Sequence, residues 1–249
     1  MPEEIVADYD IRSPASRTLL TVIGTLVAVG LFAGAVLGVS ILMKDTKTST
    51  SIIELGESAQ IVVNATTADI QVVEGADDVV KVTSRVTSGL RKTDFLIGRK
   101  GDEIKVISGC TTWLSPGCGV SLTLSVPKGI PVVINTTSGD VSADKLEQGV
   151  LTVASTSGDI NVGDLTVDEF SAESSSGDVD ASFAAQPFAF KALTKSGDIS
   201  ASIPSGDRTY AVTAESRSGE VESSIDSDED GQGFIRATSN DGDITLSTG

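Results

Sequence analysis

From about residue 60 to the C-terminus, apolar and polar side chains alternate in short runs with a spacing of two, the side-chain period of a β-strand. The runs are punctuated by a recurring turn: Ser138-Gly139-Asp140-Val141, Ser157-Gly158-Asp159-Ile160, Ser176-Gly177-Asp178-Val179, Ser196-Gly197-Asp198-Ile199, Ser218-Gly219-Glu220-Val221 and Asp241-Gly242-Asp243-Ile244. The glycines lie 19, 19, 20, 22 and 23 residues apart. A fixed period near twenty residues marks a repeat architecture, in which each unit buries its apolar face only by stacking on its neighbours.

Aligned on the glycine, the copies resolve into columns. Seven positions before it stand Val132, Leu151, Phe170, Phe190, Val212 and Ile235; five before it, Ile134, Val153, Ala172, Ala192, Ala214 and Ala237. Three before it are Thr136, Ser155, Ser174, Thr194, Ser216 and Ser239. Two after it are Val141, Ile160, Val179, Ile199, Val221 and Ile244; four after it, Ala143, Val162, Ala181, Ala201, Ser223 and Leu246. The parity of inward positions changes across Ser-Gly-Asp, so the turn is a corner that absorbs one extra residue. Glycine is expected there for its tolerance of positive φ. The pattern predicts coils stacked in chain order, with Phe170, Phe190 and Val212 touching in series. Ile61, Val63, Ala65, Ala68, Asp69, Ile70 and Val72 fit the same columns as a degenerate early coil, with Ala68 in the glycine's place.

Other strands are expected at Val79 to Val86, Glu103 to Ile107 and Val120 to Val126, with no helical pattern after Met43. The organisation predicted is a tail over 1–17, a membrane helix over 18–43, a polar linker over 44–51, an irregular β cap over 52–127 and regular repeats over 128–249. The fold class is thus an all-β ectodomain, a β-solenoid of coils of about 20 residues, preceded by one transmembrane helix.

Thr18 to Met43 is free of charged residues. As a helix it would reach about 39 Å, more than the roughly 30 Å hydrocarbon core. It is longer than the usual secretory signal core of about 7–15 residues; cleavage near Ala33-Gly34-Ala35 is the alternative. Arg12 and Arg17 on one side balance Lys44 and Lys47 on the other, so the positive-inside rule gives a tie. Cys110 and Cys118, the two cysteines, flank a loop containing Pro116-Gly117, expected to join two of the predicted strands as a long hairpin. Paired as a disulfide they place residues 1–17 in the cytoplasm and the C-terminal domain outside; the alternative is two free thiols in an intracellular loop. Gly30, Gly34 and Gly38 are spaced for close approach of two membrane helices, a spacing that suits a homodimer; the alternative is that glycine is simply frequent in such helices.

Composition narrows the chemistry. There is no histidine, which removes the commonest general base and metal ligand near neutral pH. Residues 128–249 carry 7 basic and 21 acidic side chains, a net of −14. That argues against nucleic acid and against adsorption to anionic lipid.

Two acidic features are candidates for cations. In a parallel stack the column Asp140, Asp159, Asp178, Asp198, Glu220 and Asp243 would space its carboxylates about 4.7–4.9 Å apart. Neighbours would repel by about 0.9 kcal/mol in water. The favoured reading is structural, each Asp accepting a backbone N–H in its own turn. Asp226, Asp228 and Asp230, followed by Gly231, match the start of a calcium loop; Ala237 stands where the closing glutamate belongs. No nucleophile elbow is visible, so no catalytic residue is assigned.

The membrane helix, the run Val126-Pro127-Lys128-Gly129 and the serial Ser-Gly-Asp-Val/Ile turns resemble the bacterial putative-adhesin family of β-strand-repeat proteins. The resemblance implies a β-solenoid ectodomain at a bacterial surface and carries no catalytic residues across. The expected function is non-catalytic: binding, adhesion or envelope structure, with an envelope glycan or a surface protein as partner. Envelope-stress signalling through the membrane helix is the alternative, and a polysaccharide-acting enzyme the third reading.

Overall fold

The computed structural model describes residues 23, 25–28, 30–31, 45–54, 60–75, 79–88, 94–100, 103–109 and 119–249. The N-terminal part supplies β1 (Asp45–Glu54), β2 (Ile61–Thr67), β3 (Asp69–Glu74), β4 (Val79–Ser88), β5 (Asp94–Lys100), β6 (Glu103–Gly109) and β7 (Gly119–Val126). The repeats supply β8 (Val132–Ser138), β9 (Val141–Asp144), β10 (Glu147–Ser157), β11 (Ile160–Ser174), β12 (Val179–Phe183) and β13 (Ala189–Leu193). They continue through β14 (Ile199–Ile203), β15 (Tyr210–Ser216), β16 (Val221–Ser223), β17 (Gly233–Ser239) and β18 (Ile244–Thr248). The described domain is all-β.

Each repeat makes one coil with two sides. The strand before the corner joins a leading sheet, ordered β5-β6-β2-β8-β10-β11-β13-β17-β15. The strand after it joins a trailing sheet, β1-β4-β7-β3-β9-β11-β12-β14-β18-β16. Strand β11 serves both, bending near Gly163 and Asp164. Pairing between coils is parallel; the antiparallel pairs β1–β4, β4–β7 and β5–β6 belong to the N-terminal part.

The expected columns run through the core. Leu151, Phe170 and Phe190 are register partners in successive strands, and the two phenylalanine rings stack with centroids 6.0 Å apart. Phe183 meets both rings edge-on. The degenerate coil takes its predicted register: Ile61 faces Val132, Val63 faces Ile134, Ile70 faces Val141 and Val72 faces Ala143. Strands β4–β7, which lie between these two coils in the chain, are added beyond β2 and β3 in the two sheets.

Three expectations are corrected. The order of layers departs from the chain: β17 and β18 insert between β13/β14 and β15/β16, so Phe190 meets Ile235, and Val212 lies beyond it. The repeats of 22 and 23 residues carry this crossover. Residues 204–209 pass over one layer, and 224–232 return to fill it. The 45–51 part of the expected linker is most of β1, paired with β4. Strands β6 and β7, on either side of the cysteines, are not paired as the expected hairpin, because β6 lies in the leading sheet and β7 in the trailing one.

The displaced coil explains its own sequence. Nothing among the described residues stacks on the far side of β16, so Val221 is 43 % exposed and Glu222 and Ser223 face water. Polar side chains and a glutamate at this last layer blunt an edge that would otherwise invite strand pairing.

Candidate functional site

The Ser-Gly-Asp corner is built from backbone contacts between layers. A Cβ at Gly158 would overlap the carbonyl oxygen of Gly139; at Gly177, that of Gly158; at Gly197, that of Gly177; at Gly242, that of Gly197; and at Gly219, that of Gly242. Among these corner glycines only Gly139 has a positive φ, 116°. At Gly139 the expected positive φ is present; at the other five corners close approach, rather than a left-handed backbone, dictates glycine. Ala68 opens the column: its carbonyl lies where a Gly139 Cβ would fall, and among the described residues no corner glycine lies beneath it.

The acidic column is a hydrogen-bond ladder between coils, where bonds within each turn were expected. The N–H of Asp140 donates to Oδ1 of Asp69 (3.3 Å), that of Asp159 to Asp140 (3.0 Å) and that of Asp178 to Asp159 (3.0 Å). It continues from Asp198 to Asp178 (2.9 Å), Asp243 to Asp198 (2.8 Å) and Glu220 to Asp243 (2.8 Å). Aspartate has the reach this needs, and each carboxylate keeps a second oxygen in water. Glu220 stands in the last layer, where among the described residues no further coil asks its side chain to accept. The Ser/Thr column adds bonds from Thr194, Ser239 and Ser216 hydroxyls to the carbonyls of Gly177, Gly197 and Gly242.

The calcium candidates are not brought together. Asp226, Asp228 and Asp230 are exposed, and among the described residues no three His, Cys, Asp or Glu side chains are placed to hold a metal ion. Asp228 instead accepts the N–H of Asp230 (3.1 Å), and Ser227 bridges to Tyr210 at the edge of β15. Cys110, Cys118, Gly34 and Gly38 lie outside the described residues; Gly30 is helical and exposed.

Outside the corner, Asp180 on the trailing sheet has its carboxyl raised by burial and by Asp178, Asp159 and Asp198 nearby. Arg208 donates Nη1–H to the Gln186 carbonyl (2.6 Å) and lies 5.6 Å over the Phe188 ring. Tyr210 donates its hydroxyl to Pro187 (2.8 Å), and burial pushes its pKa up.

The recess that combines unpaired charge with an exposed ring is on the outward face of the leading sheet. About 420 Å³ in volume, it is lined by Lys191, Ala211, Thr213, Phe234, Ile235 and Arg236. Lys191 on β13 and Arg236 on β17 are direct register partners, both exposed, and neither forms an ion pair among the described residues. Phe234, two residues before Arg236 on the same face, is 45 % exposed. Sequence reading missed this cluster for a physical reason. Lys191 and Arg236 both stand six before their glycines, but chain order puts Thr213 between them. Only the exchanged layers make them neighbours.

No curated protein matches the chain. Among solved structures it is similar to a putative cell adhesion protein from Clostridium sporogenes, at 13 % identity and TM-score 0.49, covering 82 % of this chain and 100 % of that one. It is also similar to a putative adhesin from Bacteroides fragilis, at 15 % identity and TM-score 0.46, covering 81 % and 97 %. The family model that matches is Toastrack DUF4097, over residues 121–249. That span takes in most of β7 and every Ser-Gly-Asp corner, and the chain belongs to the Toastrack DUF4097 family.

Proposed function

We propose that the protein is a membrane-anchored cell-surface scaffold, a β-solenoid that presents a binding face for adhesion. The observation that carries the binding role is the Lys191–Arg236 pair beside Phe234. Two like charges held side by side on adjacent strands destabilise a sheet, and here neither has a carboxylate partner among the described residues. A recess open to solvent on a sheet face, with charged side chains along its lining, suits an extended polymer or a partner surface better than an enclosed small molecule.

Anchoring is supported by the uncharged run 18–43 and by Ile23, Leu26, Val27 and Leu31, which are helical and exposed. No helix among the described residues is long and apolar enough to cross a membrane, and most of 18–43 lies outside them. In this reading residues 1–17 face the cytoplasm and the β domain faces outward, where Cys110 and Cys118 pair.

The test is adhesion of cells displaying the full chain to surfaces coated with envelope polymers. Adhesion that depends on the chain, and survives deletion of residues 1–17, is expected. Equal adhesion by cells lacking the chain would overturn the binding role. Release of the intact protein by a salt wash, without detergent, would overturn the anchor.

A further inference from the structure

We infer that Lys191, Arg236 and Phe234 form a subsite for an anionic glycan, a polysaccharide carrying carboxylate, phosphate or sulfate groups. This deepens the binding role proposed above and rests on it. Residues 128–249 contain seven basic side chains, and five of them, Lys191, Lys195, Arg208, Arg217 and Arg236, fall in the last three layers. Lys191 and Arg236 are the two that line one recess together. Across paired strands their backbones are about 4.8 Å apart, so one anionic group can sit between an ammonium and a guanidinium. Arg236 offers a planar fork suited to carboxylate or phosphate.

Phe234 supplies the second element. Its ring is exposed at the rim of the same recess, a flat apolar platform for the C–H face of a sugar ring. The carboxylates on this face, Glu169, Glu173 and Glu215, stand in other rows of adjacent strands, and none is within ion-pairing distance of either cation. The acidic corner ladder lies at the edge of the sheet. At physiological salt the Debye length is about 8 Å, so its repulsion is weak at the recess while direct contacts persist. An anionic membrane would meet the wider acidic surface as well, which disfavours it relative to a single threaded chain.

The full chain, reconstituted in nanodiscs of neutral lipid, is titrated at physiological salt with polygalacturonate and with neutral dextran. Binding to polygalacturonate and none to dextran is expected. The Lys191→Gln/Arg236→Gln variant should weaken it by about tenfold or more, and Phe234→Ala by a smaller factor without altering the salt dependence. The double variant should be no less stable than the parent to thermal unfolding, since it removes a like-charge pair, and Phe234→Ala should unfold cooperatively near the parent, since Phe234 is 45 % exposed. Equal affinity for dextran, undiminished binding by the double variant, competition by phosphatidylserine vesicles, or no binding to polygalacturonate would each overturn the subsite. Chain-dependent cell adhesion that survives Lys191→Gln/Arg236→Gln would overturn the subsite while leaving the binding role standing.

Discussion

Replacing Gly177 by alanine tests why the corner is glycine. Its φ lies outside the left-handed region, so alanine is allowed by the local backbone. The obstacle is the layer beneath. A Cβ at Gly177 would stand 2.6 Å from the Gly158 carbonyl carbon, against an ordinary contact of at least 3.4 Å. The carbonyl oxygen lies nearer still, so the two corners must separate by at least about 0.8 Å, on a spacing of about 4.8 Å. Two bonds span that gap: Asp178 N–H to Asp159 Oδ1 at 3.0 Å, and Ser176 N–H to the Thr156 carbonyl at 3.1 Å. Opened by that distance, both fall outside hydrogen-bonding range. At about 1 kcal/mol net each, with a further contribution from overpacking, Gly177→Ala should cost about 2–3 kcal/mol. In a chain of this size the thermal midpoint falls by about 4–12 °C. Gly149→Ala is the control, because a Cβ there meets nothing nearer than the Gly129 carbonyl oxygen at 3.9 Å. It should be neutral, or stabilising by about 0.4–1 kcal/mol through the unfolded chain. Equal midpoints for Gly177→Ala and Gly149→Ala would refute the close-approach account.

Three further outcomes follow from the same geometry. Asp178→Ala removes the acceptor for the Asp198 N–H (2.9 Å) and should cost about 1 kcal/mol, whereas Asp178→Asn keeps an oxygen there and should lie within about 0.5 kcal/mol of the parent; urea unfolding separates them. Asp180 has its carboxyl raised above the ordinary 3.8 by burial and by neighbouring carboxylates, so its ionisation opposes folding once pH rises above that value. Asp180→Asn should therefore raise the thermal midpoint at pH 7, and the gain should vanish at a pH below 3.8; a gain that persists in acid would exclude a charge effect. Ile244 is fully buried between two layers, so Ile244→Ala should cost about 2–5 kcal/mol, while Val221→Ala, in the last layer, should cost less than about 1 kcal/mol, both by urea denaturation.

Much of the coil was legible in the sequence because its constraints repeat. The column seven before the glycine places Leu151, Phe170 and Phe190 in register, and Ala68 marks the degenerate coil at its correct layer. The layer exchange was illegible because each coil has the same inward pattern. Val212 and Ile235 are interchangeable as neighbours of Phe190, and only Glu220, Ser223 and the longer repeats hint which coil stands last. Those departures weaken the C-terminal register when read as a series, yet they mark an exposed edge. Strands β1 and β5 were missed for another reason. Asp45-Thr46-Lys47-Thr48-Ser49-Thr50-Ser51 is polar on both faces, so its strand character comes from pairing with β4 rather than from alternation. The Lys191–Arg236 pair was hidden by the same exchange, since its members are distant in the chain and neighbours only in the folded stack.

The order of layers is the claim on which the recess and the blunted edge both depend, and cross-linking reads it directly. Ser200, Thr245 and Glu222 are exposed equivalents on β14, β18 and β16. A disulfide needs Cα atoms about 4.4–6.8 Å apart, which adjacent layers provide and layers two apart, at about 9.6 Å, do not. Oxidation of Ser200→Cys/Thr245→Cys should give the cross-linked peptide by mass spectrometry, and Ser200→Cys/Glu222→Cys should give none. The reverse result would mean that the coils stack in chain order.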